Sequence, residues 1–494
     1  MPFQTPSVRT IRRRNAVYRK SRSSPTVSEA LHITLVLLKR MPALQFTIPL
    51  LLGGLGLITF SSAIAFGQQS VTLNMASVAN LAKTQSWQSK QAHADADTAK
   101  DVVREASSMR WGRINSDNQY LRFNGPIEIS SPVPAILTQI LGIKSLTTDV
   151  APRDNLHVDL QAGIPLFTGG KITHAIRAAN AGFDAATHVA NDTDSDVVLT
   201  AENSYLATLL SQQVVNLHEQ ALHSYQGHLN NANSAYKQGV AAKYDVIRAE
   251  AAVASQEKTL TEAKNQLALA QAALRTSLAL DDTTTVQLDG QLFEIDEKVD
   301  IDQAIAAAVQ SSPILKALHA KIAAERNAVS LQQGDYLPQV TGIASKELVT
   351  NKLAQTDPTW AIGAHATWEL FDGGERRARV SLARSQLQSA EYECHHAEEQ
   401  IQLAVRSACL DLESQKSELT SARKTADLAA ESLRLATKRF EVGTGTSLEV
   451  LDANVALTAS QIEIQHALYG IDLAYLKIHR YQGDIAEVAA RIQK

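Results

Sequence analysis

Proline placement constrains this chain more than any other single feature. No proline lies between Pro165 and Pro313, and none follows Pro358. A proline inside a helix removes a backbone donor and clashes with the preceding turn, so both intervals are free to be helical almost from end to end. Such tracts argue against a compact enzyme assembled from short elements. At 494 residues the chain would by length alone divide into several domains.

The net charge of −4 hides an asymmetry. Residues 1–40 hold nine Lys and Arg against one acid, Glu29, a local charge of +8 that leaves about −12 on the remainder. An acidic body argues against a nucleic-acid partner, because phosphate binding needs clustered cations. The basic leader runs into an apolar stretch from Met41 that ends near Ala63-Ile64-Ala65, the order of a secretory signal peptide. A single membrane anchor is the alternative for an apolar run of this length. Pro49 and the Ala-x-Ala ending favour cleavage. Residues 1–67 are therefore expected to be leader and signal, with Met41 a second candidate start and the mature protein outside the cytoplasm. The two cysteines, Cys394 and Cys409, are 15 residues apart, about 22 Å on one helix and beyond disulfide reach.

The chain repeats itself. Residues 156–256 align with 360–460 at a constant offset of 204, without gaps. Leu166-Phe-Thr-Gly-Gly170 falls over Leu370-Phe-Asp-Gly-Gly374, and Tyr236-Lys-Gln-Gly239 over Phe440-Glu-Val-Gly443. A weaker match places 86–114 over 312–340, so the first half carries about 22 extra residues, within 124–153. One structural unit is duplicated, and a repeat of this kind outranks local signals. The expected division is a first repeat over 70–290, a second over 297–485 and a tail over 486–494.

Each copy contains a strand of period two. At 156–166 the even positions are Leu, Val, Leu, Ala, Ile and Leu while the odd ones are mostly polar, and 360–370 behaves the same way. Eleven residues suit a half-buried strand of a soluble sandwich, and equally a tilted membrane strand of about 9–11 residues. Trp360 and Trp368 fit interfacial aromatic girdles. Each strand stops at Gly-Gly and a long helical pattern begins, expected over about 170–280 and 374–480. Leu412, Gln415, Leu419, Ala422, Ala426, Ala429, Leu433, Ala436 and Phe440 alternate steps of three and four, a heptad seam. After Gly445 the seam is expected to resume through Leu448, Leu451, Val455, Thr458 and Ile462. Each half is thus a helical hairpin preceded by strands, expected at 112–124 and 156–167, then at 337–350 and 359–371. Four strands cannot close, and an open edge cannot persist in lipid. The smallest membrane barrels have about eight strands, so several chains must share one.

The repeated Pro-Leu-Phe-Thr-Gly-Gly-Lys (165–171) and Glu-Leu-Phe-Asp-Gly-Gly-Glu (369–375), with Phe440-Glu-Val-Gly-Thr-Gly-Thr-Ser-Leu-Glu-Val-Leu-Asp-Ala453, resemble the TolC family of outer-membrane efflux proteins. Gly239-Val-Ala-Ala-Lys-Tyr-Asp-Val-Ile-Arg-Ala-Glu250 pairs with the last motif, and the resemblance covers about 70–485. It implies a mainly α fold with membrane β: a homotrimer with a 12-stranded β-barrel in the outer membrane and a 12-helix periplasmic α-barrel. It also implies an exit duct for small molecules or polypeptides, fed by an inner-membrane pump of the RND or ABC type through a periplasmic adaptor (membrane fusion) protein. No cofactor or metal is implied. Carried over residue by residue, the family's acidic entrance falls on Asp245, Glu449 and Asp452. Its inter-protomer latch falls on Tyr244, Phe440 and Gly445, and the adaptor-facing hairpin tips on Gly239 and Gly443. Phe440 and Gly445 replace the tyrosine and arginine of the family's best-studied member. The first strand, Trp111-Gly-Arg-Ile-Asn, lacks the Leu-Pro opening present at Leu337-Pro338.

Other motifs carry less. His218 and His223 are five apart rather than four and do not share a helix face as a metalloprotease pair would. Cys394-His395-His396 with Glu398 and Glu399 reads as a solvated helix face, and Gly54-Leu-Gly56 lies in the signal's apolar core rather than in a nucleotide loop. Nothing resembles a nucleophile elbow or a P-loop, so no enzyme is expected. The rival from another class is a periplasmic coiled-coil adaptor or structural protein without a membrane barrel. An adaptor would carry one helical hairpin between β-rich halves, whereas this chain reads as two in tandem.

Overall fold

The computed structural model describes residues 70–142, 145–151, 153–295, 298–349 and 359–492. The leader and signal expected at 1–67, and residue 350 of the third expected strand, lie outside the described residues. In chain order, β1 (Ser70–Leu73) leads into α1 (Met75–Gln85), α2 (Trp87–Ser108) and β2 (Arg113–Arg122). A small unit of β3 (Ile127–Pro132), α3 (Ala135–Leu141) and β4 (Ser145–Ala151) precedes β5 (Asp154–Phe167). Then come α4 (Lys171–Lys237), α5 (Lys243–Ser277) and β6 (Thr285–Leu288). The second half contains α6 (Ile301–Ser311), α7 (Pro313–Gln333), β7 (Gln339–Val349), β8 (Trp360–Thr367), α8 (Glu375–Glu441), α9 (Ser447–Gln482) and α10 (Ile485–Ile492).

The antiparallel sheet has the order β2-β5-β7-β8. Its register places Asn115 opposite Gln161, Gln161 opposite Ser345 and Ser345 opposite Ala361. The adjoining row is Ile114, Ala162, Ala344 and Ile362. Because side chains alternate along a strand, one face is largely polar and the other largely apolar. The apolar face has no cover within the described chain: Ile114 is 79% exposed and Ile362 77%. The described part of the extra stretch in the first half carries β3, α3 and β4, with β3 antiparallel to β4 in a sheet of their own.

Gly-Gly pairs end β5 and the segment after β8, all four glycines having positive φ, and the helices start immediately afterwards. Arg376 ties this junction together. Its guanidinium Nε donates to Asp372 Oδ2 at 2.6 Å and its Nη1 to the carbonyls of Glu369 and Asp335, at 2.7 and 3.2 Å. The Arg376 amide and guanidinium, with the Gly374 amide, hold the Asp372 carboxyl down to about 2. Across the repeat Lys171 pairs with Asp335. The two strand–helix junctions are thereby bound to each other.

α4 and α8 are each 67 residues long, about 100 Å. Each folds back against its partner, α5 or α9. α8 buries Leu412, Leu419, Ala422, Ala426, Ala429, Ala436 and Phe440, the seam expected from the heptads. α9 follows its expected seam only in part, Leu451 being buried and Thr458 and Ile462 half-buried. Leu448 and Val455 are 39% and 59% exposed, while Ser447, Val450, Leu451, Ala453 and Asn454 are buried. The seam is rotated because two of its buried positions are polar residues satisfied from α4, which a hydrophobic pattern cannot register. None of the described helices is long and apolar enough to cross a membrane.

The short helices close the middle of the molecule. β1 pairs in parallel with β6, Ser70 opposite Thr285, and fastens the start of the described chain to the link between the halves. Residues 486–492 of the stretch read as a tail lie in α10, which begins at Ile485; Ile485 and Val488 are 2% and 4% exposed. Two carboxylates of this middle region, Glu202 and Asp472, are 0% exposed. Both oxygens of Glu202 are without a hydrogen-bond partner among the described residues, and burial pushes its carboxyl up to about 9. Asp472 accepts from the Phe293 amide at 3.3 Å, and burial raises it to about 8.

An acid whose folded-state value is raised gives its full stability below the unfolded value of 4.5 and loses it as pH rises towards 9. Glu202→Gln should therefore stabilise the protein by about 1–3 kcal/mol at neutral pH. Thermal melts should show the variant above wild type at pH 8, with the gap closing towards pH 5. Equal melting temperatures at pH 8 would show that Glu202 finds a partner in the folded protein.

Candidate functional site

Both long hairpins turn in the same way. α4 stops where Gly239 takes φ +76°, and α8 where Gly443 takes φ +77°, a left-handed conformation that costs an L side chain about 1–2 kcal/mol. The Gly239 amide donates to Tyr236 O at 3.0 Å and the Val240 amide to Ala235 O at 2.9 Å. At the other tip Gly443 donates to Phe440 O at 3.0 Å and Thr444 to Arg439 O at 2.9 Å. Every donor and acceptor corresponds at the offset of 204. The tips adjoin: a Cβ built on Gly443 would lie 3.2 Å from Val240 Cγ1.

The returning helices begin with acids. The Ala242 amide donates to Asp245 Oδ2 at 3.2 Å, and the Glu449 amide donates to Thr446 Oγ1 at 3.3 Å. Carboxylates in a first turn are favoured by the helix dipole. Glu449 is half-buried and its Oε2 lies 3.3 Å from Nη1 of Arg439, across the turn. Asp245 is half-buried and Asp452 exposed. Tyr244 is 66% exposed, with the Arg248 guanidinium 5.9 Å from its ring centroid. Phe440 is only 6% exposed and lies inside its own chain. Gly445 packs against the end of α8, where a Cβ would come within 2.9 Å of Arg439 Cβ and 3.0 Å of Phe440 N.

A polar contact between the hairpins escapes sequence reasoning. His228 of α4, 4% exposed, has its Nε2 2.7 Å from Ser447 Oγ and its ring edge-on to Phe440, centroids 4.8 Å apart. One turn back, Ser224 Oγ donates to Asn454 Oδ1 at 2.6 Å. Around these contacts Ala232, Val246, Ala249, Ala436, Val450 and Ala453 form a small apolar cluster. The one available signal was a disagreement between repeats: at the offset of 204, His228, Ser447 and Asn454 match Ser432, Lys243 and Glu250. The geometry thus assembles Asp245, Glu449, Phe440, Gly445 and both tip glycines at one end, with Tyr244 and Asp452 on its surface. Among the described residues no group of His, Cys, Asp or Glu side chains that could hold a metal accompanies them.

Residues 132–280 and 304–484 match the family described as Outer membrane efflux protein. The chain belongs to that family. The outer membrane efflux protein BepC of Brucella suis is 24% identical over 323 residues, 64% of this chain and 70% of BepC. The outer membrane protein TolC of Vibrio cholerae is 24% identical over 387 residues, 73% of this chain and 85% of TolC. A solved membrane protein from Pseudomonas aeruginosa shares the fold with a TM-score of 0.69 at 18% identity, covering 84% of this chain and 93% of its own. This efflux protein is an export duct of the outer membrane with a periplasmic extension, in a family of transport proteins rather than enzymes. The rival reading, an adaptor or structural protein without a membrane barrel, is set aside by the family match and by the second hairpin.

The tip geometry yields a ranked expectation. Gly239→Ala and Gly443→Ala should each weaken their turn by about 1 kcal/mol through the left-handed backbone. Gly445→Ala should displace the α8 end instead, because its new methyl meets backbone. Limited trypsin digestion should then cut fastest at Arg439 in Gly445→Ala. Cleavage no faster than in wild type would refute this packing role.

Proposed function

We propose that three copies of this efflux protein share one 12-stranded outer-membrane barrel, continued by a 12-helix periplasmic tunnel whose far end is a gate. The observation that carries this reading is the four-stranded sheet, apolar on one face and open at both edge strands, β2 and β8. A backbone edge facing lipid lacks the water that would satisfy it, and one chain is too small to close a barrel. A threefold arrangement pairs β8 of each copy with β2 of the next. It also gives the exposed leucines of α8, among them Leu403, Leu410, Leu428 and Leu435, a neighbouring helix to face. The cargo is a class of small molecules or polypeptides, delivered by an inner-membrane RND or ABC pump through a periplasmic adaptor.

In this reading the hairpin tips at Gly239 and Gly443 meet the adaptor, and Asp245, Glu449 and Asp452 ring the entrance. Tyr244 projects towards the neighbouring copy, while Phe440 and Gly445 brace the turn from within. Like charges of one orientation attract cations, as acidic rings do in cation channels. Arg439 offsets part of the charge of Glu449, so Asp452 and Asp245 contribute more of the field per residue.

Two measurements test the proposal. Deleting 156–167 removes a central strand and should abolish heat-modifiable trimers on gels; stable trimers would show that the helical tunnel assembles alone. The double variant Glu449→Ala/Asp452→Ala should lose cation preference and sensitivity to multivalent block in planar bilayers. Unchanged selectivity and block would reduce these acids to helix-capping groups.

A further inference from the structure

The contact between the hairpins contains a titratable ring with one nitrogen unused. His228 Nε2 is engaged with Ser447, whereas Nδ1 is buried without a partner among the described residues. The ring is enclosed by all four long helices. From α5 the charged group near it is Asp245. α8 presents Phe440, beside an Arg439 already engaged with Glu449 of α9. α9 presents Ser447, and five residues further on Asp452, whose charge acts on Tyr225 of α4. An apolar pair would hold the hairpins together equally well. A histidine makes the joint conditional on proton concentration.

We propose that His228 is the proton-sensing joint of the tips: acidification of the periplasm protonates it, parts α4 from α9 and favours the open channel. In the closed arrangement a second ring proton has no acceptor in place and a cation would sit in the apolar cluster. Once the hairpins part, water and Asp245 receive the imidazolium. Burial lowers the proton affinity of His228 in the closed state, only partly offset by Asp245. The released ring regains an ordinary value near 6.5. A group whose affinity is lower in one state disfavours that state as pH falls through the free value. As pH falls from 7.5 to 5.5 the open-to-closed ratio should rise, by at most about tenfold per chain.

The inference rests on the reading of the tips as the gate, and the experiment separates the two. Open probability is measured in planar bilayers at pH 7.5 and 5.5 for full-length wild type, for His228→Gln and for Ser224→Cys/Asn454→Cys before and after oxidation. Glutamine can still bond Ser447 but cannot titrate. The expected result is a wild type that opens on acidification, a His228→Gln channel flat with pH, and an oxidised cysteine pair closed at both values. A His228→Gln channel with the wild-type profile, or a wild type indifferent to pH while the oxidised pair still shuts the channel, overturns the proton joint alone. An oxidised pair that conducts normally overturns the gate reading itself. Should His228→Gln fail to assemble, amide exchange of wild-type 224–232 and 447–455, corrected for intrinsic pH dependence, decides the matter. Faster corrected exchange at pH 5.5 supports the joint, and equal rates overturn it.

Discussion

A sheet of four strands leaves two of its strands with a row of outward amides and carbonyls, and in a membrane those groups have no water to turn to. In this efflux protein β2 and β8 are the edges, and the face they share is lined with exposed isoleucine and tryptophan. Much else in the molecule follows from that deficit. In the proposed trimer lipid sets the strand length, other copies close the sheet, and the barrel they share places the helices that leave it in a ring. The junction built around Arg376 and the Lys171–Asp335 pair has to be rigid, because it converts the tilt of the strands into the direction of helices about 100 Å long.

The middle of the molecule follows a different logic from its two ends. Here Asp192 and Asp196 clasp Arg480, and Asp194 takes Ser89, His93 and Lys83, while Glu202 and Asp472 are buried with little or no compensation. A buried charge is costly unless it is paired, so the last two are held in their protonated forms. Contacts of this kind fix the short helices α1 and α2 onto α4, and α4 onto α9, in one arrangement. A purely apolar belt would tolerate sliding.

At the tips, repetition and its failure divide the labour. The glycine turns are copies of one another, down to the hydrogen bonds that close them, because both hairpins need the same reversal. The contact between the hairpins cannot be symmetric in that way, since a residue of one copy must meet a different residue of the other. His228 with Ser447 and Ser224 with Asn454 lie where the two repeats diverge.

The long helices were legible because nothing in 375–441 can break one, and the strands because their side chains alternate over a length that suits a bilayer. The turns could be placed because glycine is the cheap residue for a positive φ. The short pairing of β1 with β6 carried too little periodicity to be read, and α10 was taken for a tail. The candidate acids and tip glycines could be located by position, yet not their environment: Glu449 met Arg439, and part of the α9 seam rotated to bury serine and asparagine. Patterns written along the chain are set by local geometry, which a sequence displays directly. The polar contacts between the hairpins join residues 219 and 230 positions apart, and only the folded chain, by bringing a donor to each acceptor, made polar residues buriable there.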